Sequence, residues 1–202
     1  MRPLASLALL ALAVAALARP PTPTALRKAF ERNEESLVHV VGPKAQGPGV
    51  VIGGDGHVLT SVSFVGLDAA TVRVGESELS ASVVLADAYA KFAVVRIQSA
   101  PPLRAAAARL DGGLDPGAYL VAARRTKKGG VAPSVVQVKR PPRPGARFFE
   151  VDELLVAGTA LFDPKGKLVA IAVGRSRALP LTAVKAQLAA QAARDGGVGT
   201  PP

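Results

Sequence analysis

The chain has 202 residues, 49% of them hydrophobic, so it can form one domain or two small lobes with a sizeable core. It carries 25 Lys and Arg residues against 15 Asp and Glu residues, a formal charge of +10, and it contains no cysteine. The missing cysteines exclude a disulfide scaffold, a thiol nucleophile and a cysteine-based zinc site. The only histidines are His39 and His57, so imidazole chemistry has two candidates.

The first 18 residues have the pattern of a secretory signal peptide. Arg2 supplies a positive start, an apolar run follows from Leu4, and the run ends in Ala16-Leu17-Ala18, with small residues where a signal peptidase requires them. This run of roughly 14 residues is shorter than the roughly 20 that a membrane-spanning helix needs. We therefore expect cleavage after Ala18 and a periplasmic or secreted chain. The alternative is an uncleaved membrane tether.

The next part of the chain predicts a linker, a helix and a first set of strands. Residues 19–24 are rich in proline and favour a short linker. Thr24 is placed to cap a helix from Ala25 to about Ser36. Short apolar runs separated by Gly, Pro and Asp then predict six strands, at Leu37–Val41, Gly49–Ile52, His57–Val62, Thr71–Val74, Leu79–Leu85 and Phe92–Ile97.

A second set of strands follows a segment without strand pattern at residues 100–108. Its six members are expected at Ala118–Ala123, Val131–Val138, Arg147–Val151, Thr159–Asp163, Leu168–Val173 and Ala178–Thr182. A helix from Ala183 to about Arg194 ends at Gly196-Gly197. Strands this short and this regularly spaced are typical of an all-β sandwich or barrel.

Four segments have the order and spacing of one known protein family: Ser36–Val40, Gly49–Thr60, Phe148–Asp152 and Leu161–Ile171. Together they resemble the trypsin-like serine proteases of the HtrA type, over residues 25–192. The resemblance implies an all-β fold of two six-stranded antiparallel β-barrels. It places the N-terminal helix and first barrel in residues 25–99, the second barrel and C-terminal helix in residues 109–192, and a flexible tail at 193–202.

The positions that carry catalysis in that family differ here. Ser63 stands where the resemblance expects the catalytic histidine, Lys91 where it expects the aspartate, and Ala157 where it expects the nucleophilic serine. The nucleophile loop, Gly-Asn-Ser-Gly-Gly in the family, is Leu155-Val156-Ala157-Gly158-Thr159 in this chain. A methyl group cannot attack a carbonyl, and the loss of one triad member already costs several orders of magnitude in rate. The sequence therefore predicts no catalytic residue.

Two kinds of residue could in principle substitute for the missing triad, a histidine elsewhere in the chain or a serine–lysine pair. His57 begins the strand that Ser63 follows, which puts it about 20 Å from the cleft, and His39 lies in an apolar strand where a structural role is expected. A Ser63–Lys91 pair would need a desolvated lysine and a new oxyanion hole. Nothing in the sequence supplies that oxyanion hole.

The positive charge is concentrated in the first part of the second lobe. Residues 104–147 contain ten basic and two acidic residues, whereas residues 24–99 contain seven and eight. Within this segment Arg124, Arg125, Lys127 and Lys128 are candidates for binding an anionic partner, the alternative being a solvated loop. Nucleic acid is not expected, because aromatic side chains do not interleave with the basic ones.

We therefore predict an exported trypsin-like domain without a catalytic triad, a pseudoprotease that binds an extended peptide or an acidic protein, or an anionic envelope surface. Peptide binding by strand addition uses backbone groups and does not need the triad. One alternative is an active serine endopeptidase with a displaced site. Another is a basic protein that binds envelope polyanions. No metal or cofactor is expected.

Overall fold

The computed structural model describes residues 19–111, 114–125, 130–141 and 147–196. In chain order these residues form α1 (Pro23–Glu31), β1 (Leu37–Val41), β2 (Gln46–Val51), β3 (His57–Ser61), β4 (Ala69–Val74), β5 (Ser77–Asp87), β6 (Phe92–Ile97), β7 (Tyr119–Arg125), β8 (Val131–Arg140), β9 (Phe149–Leu155), β10 (Ala160–Phe162), β11 (Leu168–Pro180) and α2 (Leu181–Gly196). Single-turn 3-10 helices at Glu34–Ser36 and Val62–Phe64 follow α1 and β3.

The strands close into two antiparallel barrels, which confirms the predicted fold class. The first barrel has the strand order β1-β2-β3-β6-β5-β4 and closes through the pairing of β1 with β4. The second has the order β10-β11-β9-β8-β7 and closes through the pairing of β10 with β7. All six strands predicted for the first barrel are present, with ends that differ by a few residues.

The second barrel has five strands instead of the predicted six, because the last two predicted strands are one. β11 is continuous from Leu168 to Pro180, and its first half pairs with β10 while its second half pairs with β9. The strand changes partner where Gly174 (φ 113°) and Arg175 (φ 52°) adopt positive φ values. This backbone conformation bends a strand without ending it, so Thr182, predicted in a strand, lies in α2.

The first helix begins two residues earlier than predicted. Thr22, and not Thr24, is the N-cap, and its hydroxyl accepts the N–H of Ala25 at 3.2 Å. Pro23 occupies the first turn, where its missing N–H costs nothing and its fixed φ favours the helix. The proline-rich segment expected as a linker up to residue 24 is therefore helical in its last two residues.

The two barrels and both helices share one apolar core. Its members include Val50, Leu59 and Phe92 from the first barrel, Val121, Phe162 and Ile171 from the second, Phe30 from α1 and Leu181 from α2. Each barrel also has an interior core of its own. Since the shared core draws on every part of the fold, the barrels form one packed unit.

The segment between the barrels also belongs to both of them. Ala106 is buried and donates its N–H to the carbonyl of Val51 in the first barrel at 2.9 Å. Two residues later, Ala108 forms a parallel bridge with Leu168 of the second barrel. The chain therefore crosses between the lobes as a bonded strap.

Gly158 sets the distance between the two barrels at the turn before β10. Its φ is 85°, and a Cβ atom there would overlap the carbonyl oxygen of Pro48 and lie 3.3 Å from the ring of Phe64. The Pro48 oxygen also accepts the hydroxyl of Thr60 at 2.9 Å, so it is held in place. Only glycine permits this approach of the backbones without strain.

Asp87 forms a second link, at the end of β5. Its carboxylate accepts the N–H of Ala90 at 2.7 Å, the amide of Gln187 on α2 at 2.9 Å, and the guanidinium of Arg147 at 3.4 Å. Burial raises the pKa of Asp87, but these donors outweigh it and hold the pKa below its ordinary value. The ionised carboxylate thus ties the first barrel to α2 and to the segment before β9.

Within the described residues, no helix is long and apolar enough to cross a membrane. The predicted signal peptide at residues 1–18 lies outside the described residues, and cleavage after Ala18 stays a prediction.

Replacing Gly158 by alanine is expected to destabilise the protein. The positive φ costs a residue with a side chain about 1–3 kcal/mol, and the overlap with the Pro48 carbonyl adds to this. The measurement is the urea midpoint of unfolding. Gly54→Ala is the matched control, because a Cβ at Gly54 meets no atom within 4 Å. Equal midpoints for the two variants would contradict the close approach.

Replacing Asp87 by alanine is expected to lower the free energy of unfolding at neutral pH by about 1–3 kcal/mol, because the buried N–H of Ala90 and the half-buried amide of Gln187 lose their acceptor. A carboxylate with a lowered folded pKa stabilises fully above its unfolded pKa, near 3.8, and loses this contribution as the pH falls through the folded value. The difference from the parent should therefore be constant between about pH 5 and 8 and shrink below about pH 4.

Denaturant unfolding at several pH values measures this difference. The exposed Asp68, whose carboxylate makes no ion pair within the described residues, supplies the control Asp68→Ala. A difference at Asp87 that stays undiminished at acid pH would show that its charge is not what stabilises the fold.

Candidate functional site

The three positions that the sequence predicts as equivalent to the triad, at residues 63, 91 and 157, lie around the 3-10 helix Val62–Phe64. Ser63 is the middle residue of this helix, is exposed, and donates its backbone N–H to the hydroxyl oxygen of Ser61 at 3.2 Å. The neighbouring Phe64 is buried and points to the Gly158 turn of the second barrel. Position 63 therefore lies at the junction of the barrels.

Lys91 lies beside the same helix. The N–H of Val62 donates to the carbonyl of Lys91 at 3.4 Å, so the backbones at positions 62 and 91 are adjacent. Lys91 has φ 59° and is exposed. A lysine that acts as a base must be desolvated to lose its proton, and an exposed ammonium group is not. The arrangement thus brings Ser63 and Lys91 near each other without the burial that a Ser–Lys pair needs.

Ala157 occupies the turn between β9 and β10. The N–H of Thr159 donates to the carbonyl of Val156 at 3.1 Å, which makes residues 156–159 a β-turn with Gly158 at its third position. A positive φ at that position is typical of a type II turn. The half-buried Ala157 methyl group packs against the core of the first barrel, which includes Phe64. The position expected for a nucleophile thus carries an apolar contact between the barrels.

The two backbone amides that follow Ala157 are engaged in the fold. Gly158 donates its N–H to the carbonyl of Ala172 at 2.8 Å, and Ala172 returns a bond to Thr159, also at 2.8 Å. Leu155, where the related loop has a glycine, is the last residue of β9, with its side chain in the second-barrel core. It pairs with Arg175 of β11 as a strand residue. This arrangement differs from an oxyanion hole, which needs N–H groups directed at open space.

The two histidines lie in different strands of the first barrel. His57 is the first residue of β3, and its Nδ1 lies 2.7 Å from the carboxylate of Asp55 in the hairpin turn. The hydrogen bond from His57 is the main reason that the pKa of Asp55 lies below its ordinary value. His39 lies in β1 and lines the groove described next.

A groove of about 780 Å³ runs between the barrels beside the Ala157 turn. One wall of the groove consists of β1 and β2 of the first barrel, and Pro48 of β2 lies where this wall meets the Ala157 turn. The other wall consists of β7, the start of β8 and the Ala157 turn of the second barrel. Val131 and Val156, which are 44% and 62% exposed, give the second-barrel wall apolar character. Its volume falls within the range of protein sites that bind small molecules and short segments.

Sequence reasoning missed the residues that form this groove. Val131 and Val156 belong to apolar runs, which favour burial, and only the fold shows that they face outward. One signal was present in the sequence: Gly158 is the one glycine that this loop keeps from the nucleophile motif, and its positive φ brings the turn against Pro48.

Of the four basic candidates for anion binding, Arg124 is the one whose side chain is described. Its guanidinium donates to the carboxylate of Glu153 and to the carbonyl of Leu154, the latter at 2.8 Å. Arg125 ends β7, and Lys127 and Lys128 lie outside the described residues. The Arg124 guanidinium is thus engaged with two residues of β9. Anion binding by these four residues stays a prediction.

In the part of the chain that the structure describes, no three His, Asp or Glu residues are grouped so that they could hold a metal ion.

Comparison with solved structures identifies the architecture. No protein-family model and no curated protein matches the sequence. The serine endoprotease from Yersinia pestis is similar with a TM-score of 0.71 and 20% identity, over 87% of this chain and 69% of that one. A serine-to-alanine variant of Rv3671c from M. tuberculosis H37Rv, in an inactive form, is similar with a TM-score of 0.68 and 19% identity, over 92% and 98%.

Another inactive-form structure of the Rv3671c protease gives a TM-score of 0.68 at 20% identity, over 86% of this chain and 98% of that chain. Identities this low are informative about the fold alone. The chain therefore has the two-barrel fold of the trypsin-like serine proteases.

Proposed function

We propose that this chain is an exported, catalytically inactive trypsin-like domain that binds extended polypeptide in the groove between its barrels. The observation that carries the proposal is the Ala157 turn. In a fold used by serine proteases, the turn beside the inter-barrel groove holds a methyl group that packs against the first barrel.

The surroundings of this turn support inactivity independently of the missing hydroxyl. Acyl transfer needs a nucleophile, a base within hydrogen-bond reach, and donors aimed at the developing oxyanion. Here position 63 carries an exposed hydroxyl and position 91 an exposed ammonium, so neither supplies a base. Position 155, where the related loop has a glycine, carries a strand residue that pairs with Arg175.

The groove supports binding because it persists without the catalytic groups. Its walls come from strands of both barrels, and its shape depends on the shared core and on Gly158. An extended peptide meets such a groove mainly through backbone groups and alternate side chains. The exposed Val131 and Val156 offer apolar contacts for those side chains.

Export is supported by the N-terminal signal-like pattern and by the absence of cysteine in the sequence. We infer that the protein acts in the periplasm or outside the cell, with an extended peptide or an acidic protein as its partner. An active endopeptidase with a displaced site is the competing function, and labelling separates the two.

The chain from Arg19 onward is expected to remain unlabelled by a fluorophosphonate probe and to leave labelled casein intact, because it lacks an activated serine. In-gel fluorescence and release of casein fragments measure both activities, with trypsin as the positive control. Ala157→Ser is the matched variant: it restores a hydroxyl without a histidine at position 63, and we expect it to stay unlabelled. Labelling of any serine in the unsubstituted chain would refute inactivity.

Binding of an unfolded polypeptide is expected to depend on the groove. Val131→Arg places a long charged side chain on the groove wall and should weaken the binding of fluorescein-labelled casein peptides about tenfold, as loss of a central apolar contact does. Fluorescence anisotropy measures the affinity. Leu67→Arg introduces the same charge at a leucine that is 96% exposed and outside the groove. If both variants bind as tightly as the parent, the peptide does not use the groove.

A further inference from the structure

A basic face lies on the outer surface of the second barrel. It consists of Lys139 and Arg140 at the end of β8 and of Arg175 and Arg177 on β11, and all four are exposed. β9 lies between these two strands, and its Glu150 pairs with Arg140 on one side and with Arg177 on the other.

The pairing registers show that these side chains point outward. Val138 and Val151 are paired and buried, and so are Phe149 and Ala178. Successive side chains of a strand alternate between its two faces, so the residues next to these buried pairs face solvent. Glu150 and Arg177 therefore face outward, and the register shift between Val138 and Arg140 brings Arg140 opposite Glu150, so that the three form one cross-strand row on the outer surface.

Most of the positive charge on this face is not neutralised. Glu150 forms an ion pair with Arg140 at 3.5 Å. The two other carboxylates of β9 are also occupied: Asp152 accepts the N–H of Gln137 at 2.7 Å, and Glu153 pairs with Arg124. Among the four basic residues of this face, those without an ion pair to the described residues are Lys139, Arg175 and Arg177.

Apolar side chains border these cations. Leu154 and Val156 are 72% and 62% exposed, on either side of Leu155, whose side chain lies in the second-barrel core. The Cα atom of Arg175 lies opposite that of Leu155, where the register of the two strands shifts, so its backbone lies beside the backbones of both exposed residues. Cations next to exposed aliphatic side chains are typical of surfaces that attach to membranes.

The backbone conformation that places Arg175 there is energetically unfavourable. Its φ is 52°, directly after Gly174 at 113°, in a region that residues with a side chain rarely occupy. Glycine at position 175 would adopt this conformation without strain. Strained residues cluster where a side chain has a function, and for this arginine the fold itself gains no ion pair within the described residues.

We propose that the basic face, with Leu154 at its margin, binds the surface of a lipid bilayer rich in anionic phospholipids. The headgroup phosphates would meet the cations, and Leu154 would enter the boundary between headgroups and acyl chains. A bilayer accounts for both the charge and the exposed leucine. A nucleic acid would call for aromatic side chains on which bases could stack, and this face has none among its described members.

The test is sedimentation of the chain from Arg19 onward with two kinds of vesicle, phosphatidylcholine alone and phosphatidylcholine mixed with phosphatidylglycerol. Binding to the mixed vesicles is expected, with loss at high salt. The double variant Arg175→Gly with Arg177→Gln should bind about 25-fold more weakly, since each cation near a membrane surface contributes about fivefold. Arg175→Gly relieves the strained φ, so the fold is not weakened at that position.

Two controls separate this face from general charge. The first control, Lys165→Gln with Lys167→Gln, removes the same charge from the β10–β11 turn. In this turn the carbonyls of Lys165 and Gly166 bond to the end of α1. This variant should bind vesicles as tightly as the parent. Leu154→Ser should weaken binding without changing its salt dependence, because it removes insertion and keeps the charges.

Three results with vesicles would overturn the proposal. They are equal binding to the two kinds of vesicle, retention of binding by Arg175→Gly with Arg177→Gln, and equal losses in this variant and the Lys165 and Lys167 control. Binding to poly-glutamate but not to vesicles would also overturn it and would indicate an acidic protein partner. Circular dichroism of each variant shows whether it is folded, so that a loss of vesicle binding can be assigned to the surface. Arg177→Gln alone is a second variant for the binding test.

Discussion

The arrangement of the whole molecule depends on one close approach, between the backbone of Gly158 in the second barrel and that of Pro48 in the first. A side chain at position 158 would push the barrels apart at Pro48, where their walls form the groove. The Pro48 carbonyl is fixed by Thr60, and Phe64 packs against the same turn. Groove, junction and triad-equivalent positions therefore share one geometric origin, which is independent of any catalytic side chain.

The distribution of charge in space differs from the distribution along the chain. Residues 104–147 hold a large basic excess in sequence, yet the fold brings carboxylates to them from elsewhere. Glu35 pairs with Arg104, Asp87 with Arg147, and Glu150 with Arg140. The uncompensated cations of the described surface include Arg175 and Arg177, which belong to a stretch that is nearly neutral in sequence. Net charge by segment thus indicated a basic lobe but not which face of that lobe is basic.

Much of the fold could be predicted from sequence because local patterns determine it. Strand positions follow from apolar runs between turn residues, and β1 and β6 were predicted to the residue. Two errors arose where local rules compete: Pro23 fits a helix start as well as a linker, and a bend at Gly174 resembles a break between strands. The triad-equivalent positions came from the resemblance, whereas the groove and the Asp87 link depend on contacts between distant segments, which no local pattern encodes.

The strap between the lobes has a consequence for how the protein can come apart. Residues 106 and 108 bond to different barrels, and the apolar core that joins the barrels takes side chains from both helices at opposite ends of the chain. Each barrel has an interior core of its own, but a cut in the strap would leave the two halves of the shared core on separate fragments, which could bury that apolar surface only by associating.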